Sequence, residues 1–307
     1  MNATDPEDFM STKLDFSNVY SSSSPVPLIE LYRNLDYVVP YHVEHFVARL
    51  IDRLALRHAL ATPRVVDIGC SYGLSALMLQ QGRQYDDIST VDLELWHHRP
   101  ETAPKSPTGK TGIEVFGVDP SAAAIDFCQR TSVQRWSWAG DLERDDLPAE
   151  YCQVAKQANF ILSSGAYGYI TERSVCRILD QIEDPGRCWI GNFALTPLDY
   201  RSSAMAFADY GYKTEASPFL FPHRRFSSKQ ERDGTVATLR EAGLDASVEE
   251  RTGYLHTRFY LSRPVEDAVE DLGGFWALEL SRHQASQIVS DNRRPLFGEV
   301  KLSKEGN

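Results

Sequence analysis

The sequence predicts an α/β protein built on a doubly wound parallel sheet. Short apolar runs alternate with amphipathic runs from residue 64 to residue 242, as strands and helices do when helices cover both faces of such a sheet. The 307 residues, of which 42% are hydrophobic, can form a substantial core in one large domain or two small ones.

The segments that precede the sheet are predicted to be a polar arm and a helical cap. Residues 1–26 are rich in serine and proline, so we expect a mobile arm. Residues 27–62 carry apolar residues at helical spacing, and Pro40 divides them into two helices. The loop between these helices is expected to turn Tyr37 and Tyr41 towards a cleft.

The main domain is predicted to span 63–307. The strands are predicted at 64–68, 113–118, 159–163 and 188–195. The helices that follow them are predicted at 74–81, 121–130, 174–182 and 235–242, in the same order. Two strand-like runs, 246–251 and 254–262, indicate a hairpin at one edge of the sheet, and a helix at 275–288 completes the domain.

Two segments exceed the usual connection of about 2 to 6 residues between a strand and a helix. Residues 84–112 lie between the first helix and the strand at 113–118, and residues 196–232 lie between the strand at 188–195 and its helix at 235–242. Their lengths predict two insertions that act as lids or walls of a substrate site.

Composition argues against nucleic-acid and membrane partners. The chain has 32 basic and 43 acidic residues, a net charge of −11, which is unlike the basic surface of a nucleic-acid binder. No run approaches the roughly 20 apolar residues of a membrane span, and the first 25 residues do not resemble a signal peptide. We therefore expect a cytoplasmic protein, monomeric or homodimeric. Five cysteines without a C-x-x-C pair predict reduced thiols and no metal site.

The loop after the first predicted strand is the most informative segment. Its glycines allow backbone conformations and close approaches that a side chain would prevent, so a ligand can lie against the backbone. The middle glycine of G-x-G-x-x-G is absent, which disfavours a dinucleotide cradle. The segment reads Asp67-Ile68-Gly69-Cys70-Ser71-Tyr72-Gly73.

This loop resembles motif I of the class I S-adenosylmethionine-dependent methyltransferases, in the variant D-x-G-C-S-x-G. The resemblance continues at the ends of the next three strands, where ligands of open α/β sheets bind. It implies that Asp119, followed by Pro120, binds both ribose hydroxyls of S-adenosylmethionine. It also implies that Asp141, followed by Leu142, meets the adenine amino group, and that Ser163 lies beneath the methionine part. The implied cofactor-binding residues of the loop itself are Asp67, Gly69, Cys70, Ser71 and Gly73.

Four tyrosines and one asparagine are candidates for the catalytic part of the site. A desolvated sulfonium cation over an aromatic face gains about 2 kcal/mol or more, and an amide can orient an acceptor. The alternative is that Tyr167 and Tyr169 fill space above the sheet and that Asn192 satisfies backbone groups. Tyr167 and Tyr169 would share one direction if their segment is extended. The candidates are Tyr37, Tyr41, Tyr167, Tyr169 and Asn192.

The resemblance implies a function but leaves the reaction open. Segments 165–173, 221–226 and 254–264 look like a bacterial subgroup of natural-product and small-molecule enzymes, so methyl transfer to a small-molecule acceptor is the leading hypothesis. A likeness to azetidine-2-carboxylate synthases indicates an alternative, in which the α-amine of S-adenosylmethionine attacks its own Cγ and releases methylthioadenosine. A third alternative is a binding module of the same fold without catalysis.

Overall fold

A seven-stranded sheet forms the centre of the protein in the computed structural model, which describes residues 17–104 and 112–290. The strands are β1 (Arg64–Ile68), β2 (Glu114–Asp119), β3 (Trp136–Ala139), β4 (Phe160–Ser163), β5 (Trp189–Leu195), β6 (Tyr212–Arg225) and β7 (Tyr254–Pro264). Their order is β3-β2-β1-β4-β5-β7-β6, and only β7 runs antiparallel to its two neighbours. This is the Rossmann-like sheet of the class I methyltransferase fold, so the predicted fold class is confirmed.

Helices cover both faces of this sheet. They are α1 (Ser17–Tyr20), α2 (Val26–Asn34), α3 (Val39–His42), α4 (Ala48–His58), α5 (Leu74–Leu79), α6 (Thr90–His98), α7 (Ala122–Thr131), α8 (Ala149–Ala155), α9 (Glu172–Leu179), α10 (Arg201–Asp209), α11 (Lys229–Glu241), α12 (Ser247–Thr252) and α13 (Gly273–Ser290). A π-helical turn, Val43–Val47, joins α3 to α4. Along the part of the chain that the structure describes, no helix is both long and apolar enough to cross a membrane.

The core lies in two layers because successive strand residues point to opposite faces. On one face, Val65 of β1 packs in a cluster with Phe46 and Leu50 from the π-turn and α4. On the other face, Val66 packs with side chains of α8, α9 and α10, among them Val175 and Phe207. The predicted helical cap therefore packs directly on the sheet through α4.

The division of the cap into two helices at Pro40 holds. The helix α2 ends at Asn34, and Pro40 lies in the first turn of α3, where its missing N–H breaks no intrahelical hydrogen bond.

The predicted insertions contain regular structure. Residues 84–112 include α6, whose Trp96 packs against α2 and α7. Residues 196–232 include α10 and β6, and β6 pairs with β7 along most of its length. The second segment is thus part of the sheet and its flanking helix, not a loop outside the fold.

The predicted strand at 246–251 is wrong, because this segment forms α12. Its buried residues are Ala246 and Glu249, which lie three apart, as on one side of a helix, and not two apart as on one face of a strand. Gly253 ends the helix with φ +70°. The predicted edge hairpin is therefore also wrong, because β7 pairs with β6, and α11 and α12 lie between these two strands in the sequence.

The predicted mobile arm is only partly inside the described residues, since residues 1–16 lie outside them. From Ser17 onward the chain packs against the domain. The Tyr72 hydroxyl donates to the carbonyl of Ser22 at 2.6 Å, and the Ser121 hydroxyl donates to the carbonyl of Tyr20 at 2.6 Å. Residues 17–26 are therefore not a detached arm.

Candidate functional site

A cavity of about 690 Å³ opens at the carboxyl ends of β1, β2, β3 and β4. This size is within the range of about 300 to 1,000 Å³ that is usual for small-molecule sites. Its lining residues are Tyr20, Ser21, Tyr32, Tyr37, Val39, Pro40, Val43, Ile68, Gly69, Cys70, Ser71, Leu74, Ser75, Met78, Val118, Asp119, Pro120, Ser121, Ala122, Ala123, Gly140, Asp141, Leu142, Ser164, Gly165, Ala166, Tyr169 and Ile170. The four loops singled out in the sequence thus meet in one place.

The loop between β1 and α5 needs glycine at two positions. Gly69 and Gly73 have φ values of +74° and +78°, in the left-handed region that side chains disfavour. A Cβ on Gly69 would lie 2.5 Å from the Cβ of Ala166, and one on Gly73 would lie 2.9 Å from Val133. Ser71, between them, also has a positive φ of +49°. The loop therefore turns tightly and brings its backbone to the cavity wall.

The Asp119 carboxylate is held by this loop and by its own. One oxygen accepts a hydrogen bond from the Ser71 backbone N–H at 2.9 Å, and the other accepts one from the Ser121 N–H at 2.8 Å. Burial raises the pKa of Asp119, and these two backbone donors oppose that shift. Each carboxylate oxygen retains a further acceptor position. The side chain is thus an oriented acceptor in the wall of the cavity.

Asp67 lies near the end of β1, behind the glycine loop, and does not line the cavity. Burial raises its pKa to about 7, although the nearby Ser75 hydroxyl opposes the shift. Within the described residues, neither carboxyl oxygen has a partner at hydrogen-bond geometry. A buried carboxyl in this state is stabilised by taking up a proton or by meeting a donor from outside the chain.

The loop after β3 closes the far end of the cavity. Gly140 lies against the Trp138 ring, because a Cβ there would be 2.2 Å from it. Asp141 lines the cavity, and its carboxylate also accepts the Glu143 backbone N–H at 2.9 Å. Leu142 is buried beside it. All three residues line the cavity at the end of β3.

Tyr37 is the residue of the α2–α3 loop that faces the cavity. Its ring stacks on Tyr32 with centroids 4.1 Å apart and makes a T-shaped contact with His223, with centroids 4.9 Å apart. The hydroxyl reaches the loop after β4, where a Cβ on Gly165 would lie 2.7 Å from it. Burial raises the pKa of Tyr37 well above its usual value, so the phenol is neutral.

Tyr41 does not face the cavity, so the expectation for this loop holds for one tyrosine only. Tyr41 lies inside α3 and its hydroxyl donates to the Asp86 carboxylate. Its ring makes a T-shaped contact with Tyr85, with centroids 5.0 Å apart. The start of the helix turns Tyr41 away from Tyr37.

Tyr167 and Tyr169 do not share a direction. Their segment makes a turn in which the Tyr169 N–H donates to the Ala166 carbonyl at 2.8 Å, so the alternation of an extended chain does not apply. Tyr169 lies at the cavity rim and is 58% exposed. Tyr167 is buried in the core, and its hydroxyl lies 2.9 Å from that of Ser203.

Asn192 and Ser163 are not among the residues that line the cavity. They are neighbours across β5 and β4, and both are fully buried. The Asn192 amide donates to the Tyr200 hydroxyl at 2.5 Å. Neither the Asn192 Oδ1 nor the Ser163 Oγ has a hydrogen-bond partner in the described parts of the chain. Ser164, the next residue, is the one that lines the cavity.

Cys70 and Pro120 also line the cavity. Burial raises the pKa of the Cys70 thiol well above its usual value, and its Sγ lies 3.6 Å from the Ser71 carbonyl. Sequence reasoning missed Tyr20, which lines the cavity from the N-terminal segment. An aromatic residue within a polar, serine-rich stretch was the signal that could have identified it.

No family model matches the sequence, and no curated protein matches it. Several solved structures are similar in fold. YcgJ from Bacillus subtilis has a TM-score of 0.43 and 11% identity, covering 73% of this chain and 99% of that one. Magnesium protoporphyrin IX methyltransferase from Synechocystis PCC 6803, solved with bound SAM, has a TM-score of 0.42 and 11% identity, covering 86% and 100%. The plantazolicin methyltransferase BpumL, solved with SAH, has a TM-score of 0.41 and 10% identity, covering 84% and 99%.

Proposed function

We propose that this protein binds S-adenosylmethionine in the cavity and transfers its methyl group to a small-molecule acceptor. The observation that carries the proposal is the Asp119 carboxylate, oriented by the Ser71 and Ser121 backbone N–H groups at the edge of a left-handed glycine loop. Two oxygens with further acceptor positions match the two vicinal hydroxyls of a ribose, and charge-assisted hydrogen bonds of this kind are the strong ones.

The other lining residues suit the rest of the same ligand. Asp141 and Leu142 would hold the adenine ring, and the loop from Gly69 to Gly73 would lie along the methionine part. Among the lining residues of the described chain, the charged side chains are two carboxylates, those of Asp119 and Asp141. A cavity with carboxylates and tyrosines in its wall favours a cation.

When bound, S-adenosylmethionine supplies a methyl group attached to a sulfonium cation. After methyl transfer, the rest of the cofactor leaves as a neutral thioether. The chain's contribution is to fix the positions of the reactants, to exclude water and to present aromatic faces to the cation. Tyr37 is proposed to meet the cation, because it lines the cavity, its ring is held in place by stacking on Tyr32, and its hydroxyl lies against the loop at Gly165. We propose an acceptor of natural-product type, as the resemblance of segments 165–173, 221–226 and 254–264 implies.

The test is a product assay with the full-length protein. Incubation with S-adenosylmethionine and a panel of small-molecule acceptors should give S-adenosylhomocysteine and a methylated acceptor. A parallel incubation without acceptor reports the intramolecular alternative, because cyclisation releases methylthioadenosine. Failure to bind S-adenosylhomocysteine in a calorimetric titration would overturn the proposal at its first step.

A further inference from the structure

The N-terminal residues 17–22, here called the strap, lie over one end of the cavity. Tyr20 and Ser21 belong to its lining. The Tyr20 hydroxyl lies 3.3 Å from that of Tyr32. Burial and then the Asp119 carboxylate raise the pKa of Tyr20, to about 12, whereas the hydrogen bond with Tyr32 lowers it. The Tyr20 side chain is therefore inside the cavity, on the same side as the proposed ribose carboxylate.

Two side chains of the cofactor loops hold the strap in place. The Tyr72 hydroxyl donates to the carbonyls of Ser22 at 2.6 Å and Val19 at 3.3 Å. The Ser121 hydroxyl donates to the carbonyl of Tyr20 at 2.6 Å. Tyr72 lies between the two left-handed glycines of the β1 loop, and Ser121 lies two residues after Asp119. Both anchors thus arise from loops that would bind S-adenosylmethionine, Tyr72 from the loop proposed for its methionine part and Ser121 from the loop proposed for its ribose.

We propose that the strap is part of the nucleoside-binding site, with Tyr20 as a ligand-contacting residue and with Tyr72 and Ser121 as the residues that position it. The inference rests on the proposed function, since the ligand it assigns to Tyr20 is the nucleoside part of S-adenosylmethionine. The same two loops would hold both the ligand and the strap. Ligand binding should therefore stabilise the anchored strap, and the anchored strap should stabilise the bound ligand. Ligand release then requires the strap to leave its anchors.

The first test compares Tyr20→Ala with Tyr20→Phe in calorimetric titrations with S-adenosylhomocysteine. An aromatic ring supplies a large contact area, so removing it should raise the dissociation constant about tenfold or more. Phenylalanine retains the ring and should stay within about threefold of the wild type. A structural role alone would lower the unfolding temperature without ligand, which is measured in parallel.

The second test removes an anchor and uses a matched control. Tyr72→Phe deletes the hydroxyl that holds the strap and should speed dissociation of S-adenosylhomocysteine about fivefold in stopped-flow experiments. Tyr212→Phe deletes an equivalent bond, from the Tyr212 hydroxyl to the Pro185 carbonyl at 2.8 Å, away from the cavity. That control should leave dissociation unchanged.

A double variant and hydrogen exchange complete the design. If Tyr72 acts by holding Tyr20 in place, its hydroxyl contributes little once the Tyr20 side chain is gone. Adding Tyr72→Phe to Tyr20→Ala should then raise the dissociation constant for S-adenosylhomocysteine little further. Backbone amides of residues 17–22 should exchange more slowly once S-adenosylhomocysteine is bound.

The outcomes separate the two proposals. A wild-type protein that does not bind S-adenosylhomocysteine overturns the proposed function and, with it, the strap's ligand. If the wild type binds, two results would overturn the strap proposal alone. One is an unchanged affinity in Tyr20→Ala, and the other is an equal dissociation rate in Tyr72→Phe and Tyr212→Phe.

Discussion

At the scale of single residues, Asp119 is the proposed ribose-binding side chain and also accepts backbone hydrogen bonds from two loops. Replacing it with alanine removes the acceptor proposed for two ribose hydroxyls, and each charge-assisted bond contributes about 1.5 to 3 kcal/mol. We expect the dissociation constant for S-adenosylhomocysteine to rise at least about tenfold in calorimetry. The substitution also leaves the Ser71 and Ser121 N–H groups without their acceptor, so the free energy of unfolding should fall by about 1 to 3 kcal/mol.

The control for this change is Asp126→Ala. Asp126 lies on α7, with its side chain 61% exposed and paired with Arg130. Its removal should change neither affinity nor stability by more than about 0.5 kcal/mol. Equal affinity in Asp119→Ala and wild type would reject the ribose assignment.

Gly69→Ala tests the tight approach of two loops. The alanine would carry the cost of a positive φ, about 1 to 2 kcal/mol, and its Cβ would lie 2.5 Å from that of Ala166. Gly243→Ala is the matched control, since Gly243 has φ +71° but nothing within 4 Å of the added Cβ. In urea unfolding, Gly69→Ala should therefore lose about 1 to 3 kcal/mol more than Gly243→Ala. If both variants lose the same free energy of unfolding, the loop that carries Ala166 moves aside without cost, which contradicts the prediction.

Asp67 should make stability depend on pH. Burial raises its pKa from 3.8 to about 7, so between these values the folded protein binds more protons than the unfolded chain. The folded state is then destabilised as pH rises through this window. Asp67→Asn removes the titration, so the wild type should lose stability relative to this variant between pH 5 and pH 8. Thermal unfolding of both proteins at several pH values measures this, and parallel profiles would contradict it.

At the scale of elements, the connection between α2 and α3 is held by the end of β6. The Val38 N–H donates to the His223 carbonyl at 2.9 Å, and the Arg225 N–H donates to the Leu35 carbonyl at 2.7 Å. These bonds fix the loop that carries Tyr37, while α3 turns Tyr41 to the other side. Two tyrosines four residues apart therefore have different surroundings.

The loop yields a paired prediction on turnover. Tyr37→Ala should lower the rate of S-adenosylhomocysteine formation about tenfold or more, as expected for the loss of a desolvated cation–π contact of about 1 to 2 kcal/mol. Tyr37→Phe preserves the aromatic face and should retain much of the rate. Tyr41→Ala is the control and should leave the rate near that of the wild type. A defect as large in Tyr41→Ala as in Tyr37→Ala would contradict the placement of the two rings.

At the scale of the whole molecule, the cavity joins parts of the chain that are far apart in sequence. Residues from Tyr20 to Ile170 meet in it, so a ligand that fills it should stabilise the entire fold. S-adenosylhomocysteine at one hundred times its dissociation constant should add about 2.7 kcal/mol to the free energy of unfolding. Thermal unfolding with and without ligand measures this shift. The same ligand concentration should give a much smaller shift in Asp119→Ala, and an equal shift would place the ligand elsewhere.

Local features of the sequence determined much of this architecture. The strands β1, β2, β4 and β5 are short apolar runs, and their helices have apolar residues at helical spacing, so both could be predicted from periodicity. The glycine loop was recognisable because its turn geometry restricts which residues can occupy it, and the acidic residue at the end of β2 was identified through the resemblance to methyltransferase motifs. These predictions depend on neighbours in sequence, and for that reason they did not need the tertiary structure.

The tertiary structure decided what depends on distant partners. The strand β6, with its charged residues and two prolines, is defined by its pairing with β7. The helix α12 replaced a predicted strand because burial of Ala246 and Glu249 follows a helical period. The strap lies on Tyr72 and Ser121, about 50 and 100 residues further along the chain, through hydrogen bonds to backbone carbonyls that any residue could offer. Sequence periodicity carries no information about such contacts, because they arise only when the chain has folded and the loops have come together.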